Sequence, residues 1–135
     1  MNLQAISALA GRFLIGLIYV VSGVTKIQDY AGTAAYMATE NMPMIPILEP
    51  AAIVVEIVFG ICIIVGFKTR ISALILAAYS VVATTIFNHF WNMEPGAMQA
   101  TIMHLFMSTI AMVGACLFLA GVGAGPLSVD NRAKP

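Results

Sequence analysis

Hydrophobic residues recur in four long runs, separated by short polar or turn-forming segments. The runs cover about residues 4–25, 47–67, 71–91 and 100–122. Each is about 20 residues long, the length that an α-helix needs to cross ~30 Å of hydrocarbon. Backbone polar groups inside a bilayer must be paired within the span, so helices rather than open strands are predicted. The pattern therefore predicts an all-α integral membrane protein, built as a four-helix bundle.

The segment between the first two runs, KIQDYAGTAAYMATENMP, is long for a membrane hairpin and has helical character of its own. Asp29 is suited to cap a short helix that continues to about Thr39, and Pro43 and Pro46 end it. We expect this short helix to lie flat on the outer surface of the membrane and to cover the bundle. The middle two runs are separated only by Lys68-Thr69-Arg70, which predicts a tight turn.

Composition supports the same interpretation and excludes several others. The chain has 135 residues, of which 61% are hydrophobic and 9% charged, whereas a soluble domain has about 45–50% apolar and about 25% charged residues. A soluble monomer of this size could not bury so much apolar surface, so the lipid bilayer is the expected partner. Six basic residues balance six acidic ones, so no patch for nucleic acid is expected. We treat residues 1–135 as one domain.

The distribution of cations predicts the orientation of the spans. Four spans place both termini and the 68–70 turn on one side of the membrane, and Lys26 is the one cation on the opposite side. By the positive-inside rule both termini are predicted to be cytoplasmic. The cations on that predicted cytoplasmic side are Lys68, Arg70, Arg132 and Lys134. Arg12 lies within the first span, nearer to this side than to the other.

Each predicted span carries a row of small or polar residues at helical spacing, and such rows form the packing seams of membrane helices. We expect these four rows to face the interior of the bundle. They are Arg12, Gly16, Tyr19, Gly23 and Lys26; Glu49, Ile53, Glu56 and Gly60; Ala73, Ala77, Ser80 and Thr84; and Thr101, His104, Ser108, Ala111 and Ala115.

Two charged residues lie deep within the predicted spans. Counting 1.5 Å per residue, Arg12 lies about 12 Å and Glu56 about 16 Å from the predicted cytoplasmic surface. Because a lone charge at this depth is costly, we expect the two to pair. Two interpretations of the pair remain open, a structural ion pair that fixes helix register and a carboxylate linked to protons or quinone.

A second polar group is predicted near the outer face. It contains two histidines and two carboxylates, which could hold a ligand headgroup, relay protons, bind a metal or simply be hydrogen-bonded side chains of the membrane interface. No spacing typical of a metal site supports the last possibility, so no metal is expected. The members of this group are Lys26, Glu49, His89, Trp91, Glu94 and His104.

These motifs, in this order, resemble the DoxX family of small four-helix membrane proteins. The first span has Arg12, Gly16, Ser22-Gly23 and Lys26, and the second has Glu56, Gly60 and Gly66 before Thr69-Arg70. Asn88-His89-Phe90-Trp91 ends the third span, and the segment 125–130, GPLSVD, follows the fourth. The resemblance implies a multi-pass protein of the inner membrane with cytoplasmic termini. The family name comes from a subunit of a thiosulfate:quinone oxidoreductase, so the resemblance also implies a role in a redox assembly.

Three classes of function remain open. The first is a redox-associated membrane subunit that binds a quinone or another small amphipathic ligand, with protein partners in the assembly. The second is a non-catalytic anchor, whose 68–70 turn and segment 128–135 contact cytoplasmic partners; the third is a small transporter. No spacing for haem, flavin or an iron–sulfur cluster is recognisable, and whether the protein is an enzyme or forms homo-oligomers stays open. The candidate ligand or proton-linked residues are Arg12, Tyr19, Lys26, Glu56, His89, Trp91 and His104.

Overall fold

Four long helices and two short ones make up the part of the chain that the structure, a computed structural model, describes, residues 2–133. The long helices are α1 (Leu3–Gln28), α3 (Ile45–Val65), α4 (Thr69–Phe87) and α5 (Ala97–Val122), and the short ones are α2 (Tyr30–Thr39) and α6 (Val129–Arg132). A 3-10 turn, Phe90–Asn92, follows α4. All four long helices are long and apolar enough to cross a membrane. The predicted four-helix membrane bundle is therefore confirmed, with span boundaries shifted by a few residues.

The predicted short helix between the first two spans is present as α2. The Asp29 carboxylate accepts a hydrogen bond from the backbone N–H of Gly32 at 3.2 Å, which caps the first turn. Helix α2 packs mainly on α3 and buries Met37. Pro46 lies in the first turn of α3, where a missing N–H costs no helical hydrogen bond.

The long helices pack in the order α1, α3, α4, α5. Contacts are extensive between α1 and α3 and between α4 and α5, and α3 joins the two pairs through α4. Helices α1 and α5 touch at few positions. The bundle is therefore open along the seam between α1 and α5.

Burial confirms three of the four predicted interior rows. Arg12, Gly16, Tyr19 and Gly23 are buried on α1, and the predicted rows of α3 and α4 are buried throughout. Lys26 is partly buried.

The predicted row of α5 was wrong. Thr101, His104, Ser108 and Ala111 are exposed and Ala115 is partly buried, whereas α5 buries Val113, Cys116, Leu119 and Ala120. The buried positions lie in the second half of α5, and the first half borders the open seam. Apolar residues surround α5 on every side, so its pattern did not mark the face that packs against α4.

At the end of the bundle that carries the α3–α4 turn, α6 folds back onto that turn. The Asp130 carboxylate accepts hydrogen bonds from the backbone N–H groups of Lys68 (2.7 Å) and Thr69 (2.8 Å), and the Asp130 N–H donates to the Gly66 carbonyl (2.8 Å). Asp130 thus supplies the acceptor for the unpaired donors at the start of α4. Burial alone would raise the pKa of Asp130, but these two donors and the nearby Arg12 outweigh it, so its pKa lies below its ordinary value.

Asp130→Asn is expected to lower the free energy of unfolding at pH 7 by about 1 kcal/mol, as the loss of a helix cap does. A carboxyl with a lowered folded pKa stabilises the fold above its unfolded value of about 3.9, and this contribution is lost as the pH falls through the folded value. The difference in melting temperature between wild type and variant should therefore shrink below about pH 4. Melting curves in detergent from pH 7 to pH 3 measure it, and a difference that stays constant would contradict the assignment.

Candidate functional site

A buried carboxylate, Glu56, lies near the middle of α3 and accepts three hydrogen bonds. The Lys26 ammonium donates to both Glu56 oxygens, at 2.9 and 3.0 Å, and the Tyr79 hydroxyl donates to Oε1 at 2.7 Å. Lys26 also donates to the Ser22 hydroxyl at 2.8 Å. The Glu56 side chain is 5% exposed and that of Lys26 is 25% exposed. Glu56 is therefore an anchored anion, held by groups from α1 and α4.

Close contact between α1 and α3 sets the register of this ion pair. A Cβ on Gly16 would lie 2.5 Å from the Gly60 carbonyl oxygen, and one on Gly23 would lie 3.4 Å from the Cβ of Glu56. At this register the backbone of Lys26 lies level with residues of α3 that precede Glu56. Side chains of a helix lean toward its N-terminus, so the Lys26 stem runs along the bundle to reach Glu56.

A second polar contact lies beside the ion pair. The hydroxyl oxygens of Tyr19 and Ser80 are 2.7 Å apart, and the Tyr19 oxygen is 3.6 Å from the Cys116 sulfur. Tyr19 is buried among α1, α4 and α5 and packs in the apolar core with Ile63 and Leu76. The contact links α1 to α4 and α5 at the base of the open seam.

A cavity of about 400 Å³, called here the seam cavity, lies along the opening between α1 and α5. Its walls are mainly apolar, and its polar groups include those of the ion pair and its neighbours. They come from Tyr19, Ser22, Lys26, Glu56, Tyr79 and Ser80, and Thr84, Asn88, Ser108 and Thr109 also line the wall. An apolar cleft with a few convergent polar groups is the usual composition of a small-molecule site.

The expected pairing of Arg12 with Glu56 was wrong. Arg12 is 1% exposed and its Nη2 donates to the Leu127 carbonyl, close to Gly66 and Asp130. Gly66 lies ten residues beyond Glu56, which is about 15 Å along α3. The count of depth from the span ends did not allow for the direction of the side chains. Both Arg12 and Lys26 lean toward the N-terminus of α1. Arg12 therefore reaches the α3–α4 turn, and Lys26, which lies near the other end of α1, reaches Glu56.

The predicted outer group is divided in the structure. His89 Nε2 and Glu40 Oε2 are 2.9 Å apart, which ties the end of α2 to the segment after α4. Trp91 is exposed and contacts Phe90 and Phe106 edge to face. His104 is exposed on α5. None of these three predicted residues lines the seam cavity, and within residues 2–133 no three His, Cys, Asp or Glu side chains are grouped to hold a metal ion.

Tyr79 is the member of the site that the sequence interpretation missed. It lies next to Ser80, outside the row of small residues that marked α4. A partly buried tyrosine hydroxyl usually finds a hydrogen-bond partner, so a tyrosine one residue from the predicted seam was the available signal. The 68–70 turn and the segment from Ser128, predicted to contact other proteins, contact each other in this structure; Lys134 and Pro135 lie outside the described residues.

Comparison with known proteins identifies the family to which the chain belongs. The DoxX family model matches residues 7–89, a stretch from α1 through α4 that contains Arg12, Lys26, Glu56 and Tyr79. The chain belongs to the DoxX family. It is therefore a multi-pass membrane protein, and the whole ion pair described above lies within the part that matches the DoxX model.

Two relatives of similar length align with nearly the whole of this chain. Inner membrane protein YphA of Escherichia coli K12 is 32% identical over 124 residues, which are 92% of this chain and 88% of that protein. Inner membrane protein YqjF of the same organism is 30% identical over 130 residues, 96% and 94% of the two chains. The surfeit locus protein 4 homolog of Schizosaccharomyces pombe is 32% identical over 73 residues, 53% of this chain and 24% of that longer protein. No solved structure matches the chain.

Proposed function

We propose that this DoxX-family protein is a redox-associated subunit of the inner membrane that binds a small amphipathic ligand, a quinone or a molecule like it, in the seam cavity. The observation that carries the proposal is the position of the Lys26–Glu56–Tyr79 cluster on the wall of a cavity that opens between α1 and α5. An inner-membrane location is supported by the names of the two Escherichia coli relatives. The distribution of cations supports cytoplasmic termini.

The chemistry of the cavity suits a quinone-like headgroup. Quinone oxygens accept hydrogen bonds, and the Lys26 ammonium or the Tyr79 hydroxyl would donate to one by exchanging a bond that it now makes to Glu56 or Ser22. Apolar side chains such as Ile18, Leu105 and Met112 line the remainder and suit a hydrocarbon tail. The open seam gives such a ligand a route from the bilayer. Electrons for any redox step would come from a protein partner.

Titration of the purified protein with a short-chain ubiquinone analogue, followed by calorimetry, tests the proposal. Tyr79→Phe removes one donor and keeps the ring, so we expect affinity to fall by roughly threefold to tenfold, the value of one net hydrogen bond. Glu56→Gln should weaken binding at least as much, because both donors lose the anion that orients them.

The matched control is His89→Ala, because His89 lies outside the seam cavity and should leave affinity unchanged. Absence of binding by wild type, or equal binding by all three variants, would refute the proposal. The function that then remains is that of a membrane anchor without a ligand site in the seam.

A further inference from the structure

A second buried carboxylate, Glu49, has no hydrogen-bond partner in the part of the chain that the structure describes. It is 0% exposed, and neither of its oxygens has a hydrogen-bond partner among residues 2–133. It lies on α3 seven residues before Glu56, which is two turns or about 10 Å away. The Lys26 ammonium is held by Glu56 and Ser22, so it does not serve Glu49. A buried carboxylate normally has a hydrogen-bonding or charged partner.

Glu49 lines a cavity of about 490 Å³ that lies beside α2 and next to the seam cavity; we call it the α2 cavity. The two cavities are neighbours that share Ser22, Lys26, Tyr79, Phe87 and Asn88 in their linings, whereas Glu49 lines only the α2 cavity. The other polar groups of the α2 cavity belong to Ser22, Thr25, Asp29, Thr33, Tyr36 and Asn88.

The charges around the α2 cavity are unbalanced. Asp29 and Glu49 are two carboxylates in its wall, and the positive charge of Lys26 is already matched by Glu56. A cationic group bound in this cavity would meet these two carboxyl groups without a competing cation, and it would supply the donors that the two Glu49 oxygens lack within residues 2–133. Hydroxyl and amide oxygens from Thr25, Thr33 and Asn88 add further acceptors to the same wall.

We propose that the α2 cavity is a binding site for a primary ammonium group, which donates hydrogen bonds to Glu49. A primary ammonium has three N–H donors on a compact charge, which fits two carboxylates and several hydroxyl oxygens. The group belongs either to a soluble amine or to the headgroup of phosphatidylethanolamine. This site does not depend on ligand binding in the seam cavity.

A replacement titration in detergent tests the soluble source. Choline chloride is exchanged stepwise for ethanolamine chloride at constant total salt, so that ionic strength does not change while the number of N–H donors does. Ethanolamine should raise the melting temperature of the wild type, and choline, which has no N–H donor, should not. In Glu49→Gln the affinity for ethanolamine should fall by roughly tenfold or more, the value of a hydrogen bond to a charged group.

The control variant is Glu94→Gln, which makes the same chemical change at an exposed glutamate outside both cavities and should respond as wild type. Glu49→Gln should fold, because Glu49 makes no hydrogen bond that the change removes. Its affinity for the ubiquinone analogue, measured in parallel, should equal that of wild type, which separates this proposal from the one on the seam cavity.

Nanodiscs test the lipid source. Exchanging phosphatidylcholine for phosphatidylethanolamine should raise the melting temperature of the wild type and of Glu94→Gln but not of Glu49→Gln. A response to the lipid without one to ethanolamine assigns the site to the headgroup, and the reverse assigns it to a soluble amine. The proposal is overturned if neither probe has an effect that depends on Glu49, or if choline acts as ethanolamine does.

Discussion

Lys26→Met is expected to lower the free energy of unfolding by about 3 kcal/mol, because it leaves the Glu56 carboxylate buried without its counter-charge. The value lies at the low end of the usual range for breaking a buried pair, since Tyr79 still donates one hydrogen bond to Glu56. Unfolding of the purified protein in mixed micelles, driven by added SDS, measures the change. Lys68→Met is the control: it removes an exposed lysine and should change stability by less than about 0.5 kcal/mol.

A double-mutant cycle separates the interaction energy of the ion pair from other effects of the substitutions on stability. In Lys26→Met/Glu56→Gln the buried charge is absent from both partners, so most of the stability lost in the single variant should return. If the two single losses simply add in the double variant, the side chains do not interact and the ion pair is refuted.

Gly16→Ala is expected to destabilise the protein by about 1–3 kcal/mol, the usual cost of inserting atoms into a well-packed contact. The added Cβ would lie 2.5 Å from the Gly60 carbonyl oxygen, which belongs to the backbone and cannot rotate away. Helices α1 and α3 would have to separate, and the register that brings Lys26 to Glu56 would change with them. The same SDS titration applies.

Gly114 provides the matched control for this substitution. It lies within α5, and a Cβ there would meet no heavy atom within 4 Å. Gly114→Ala should therefore be neutral or stabilising by up to about 1 kcal/mol, through helix propensity. Equal effects at the two glycines would contradict the assignment of the α1–α3 contact.

The sequence was sufficient to predict the architecture, because the bilayer imposes strong rules on it. Length and hydropathy predicted the four spans, and a capping aspartate, Asp29, followed by helix-ending prolines predicted α2. The buried rows of α1, α3 and α4 were also predictable, since small and polar residues must avoid lipid.

The site required information that a linear pattern does not contain. The partner of Glu56 depends on the register between α1 and α3, which the approach of Gly16 to Gly60 sets in three dimensions. It also depends on the direction of the side chains, since Arg12 and Lys26 both lean toward the N-terminus of α1, which takes Arg12 away from Glu56 and brings Lys26 to it. Depth alone made Arg12 the better candidate, and the structure instead pairs Glu56 with Lys26. The face that α5 buries was not predictable for a related reason, since apolar residues surround that helix and either side could pack.

The position of Asp130 has a consequence for the assembly of the protein during synthesis. The chain folds as it is made, from its N-terminal part onward, so α1 and α3 can pack while α5 is still being translated. The acceptor for the first N–H groups of α4 is made only after all four spans. Until then the backbone N–H groups of Lys68 and Thr69 must donate to water. Binding of Asp130 to this turn is therefore a late step of biogenesis, and it secures the junction between two helical hairpins that have already been inserted.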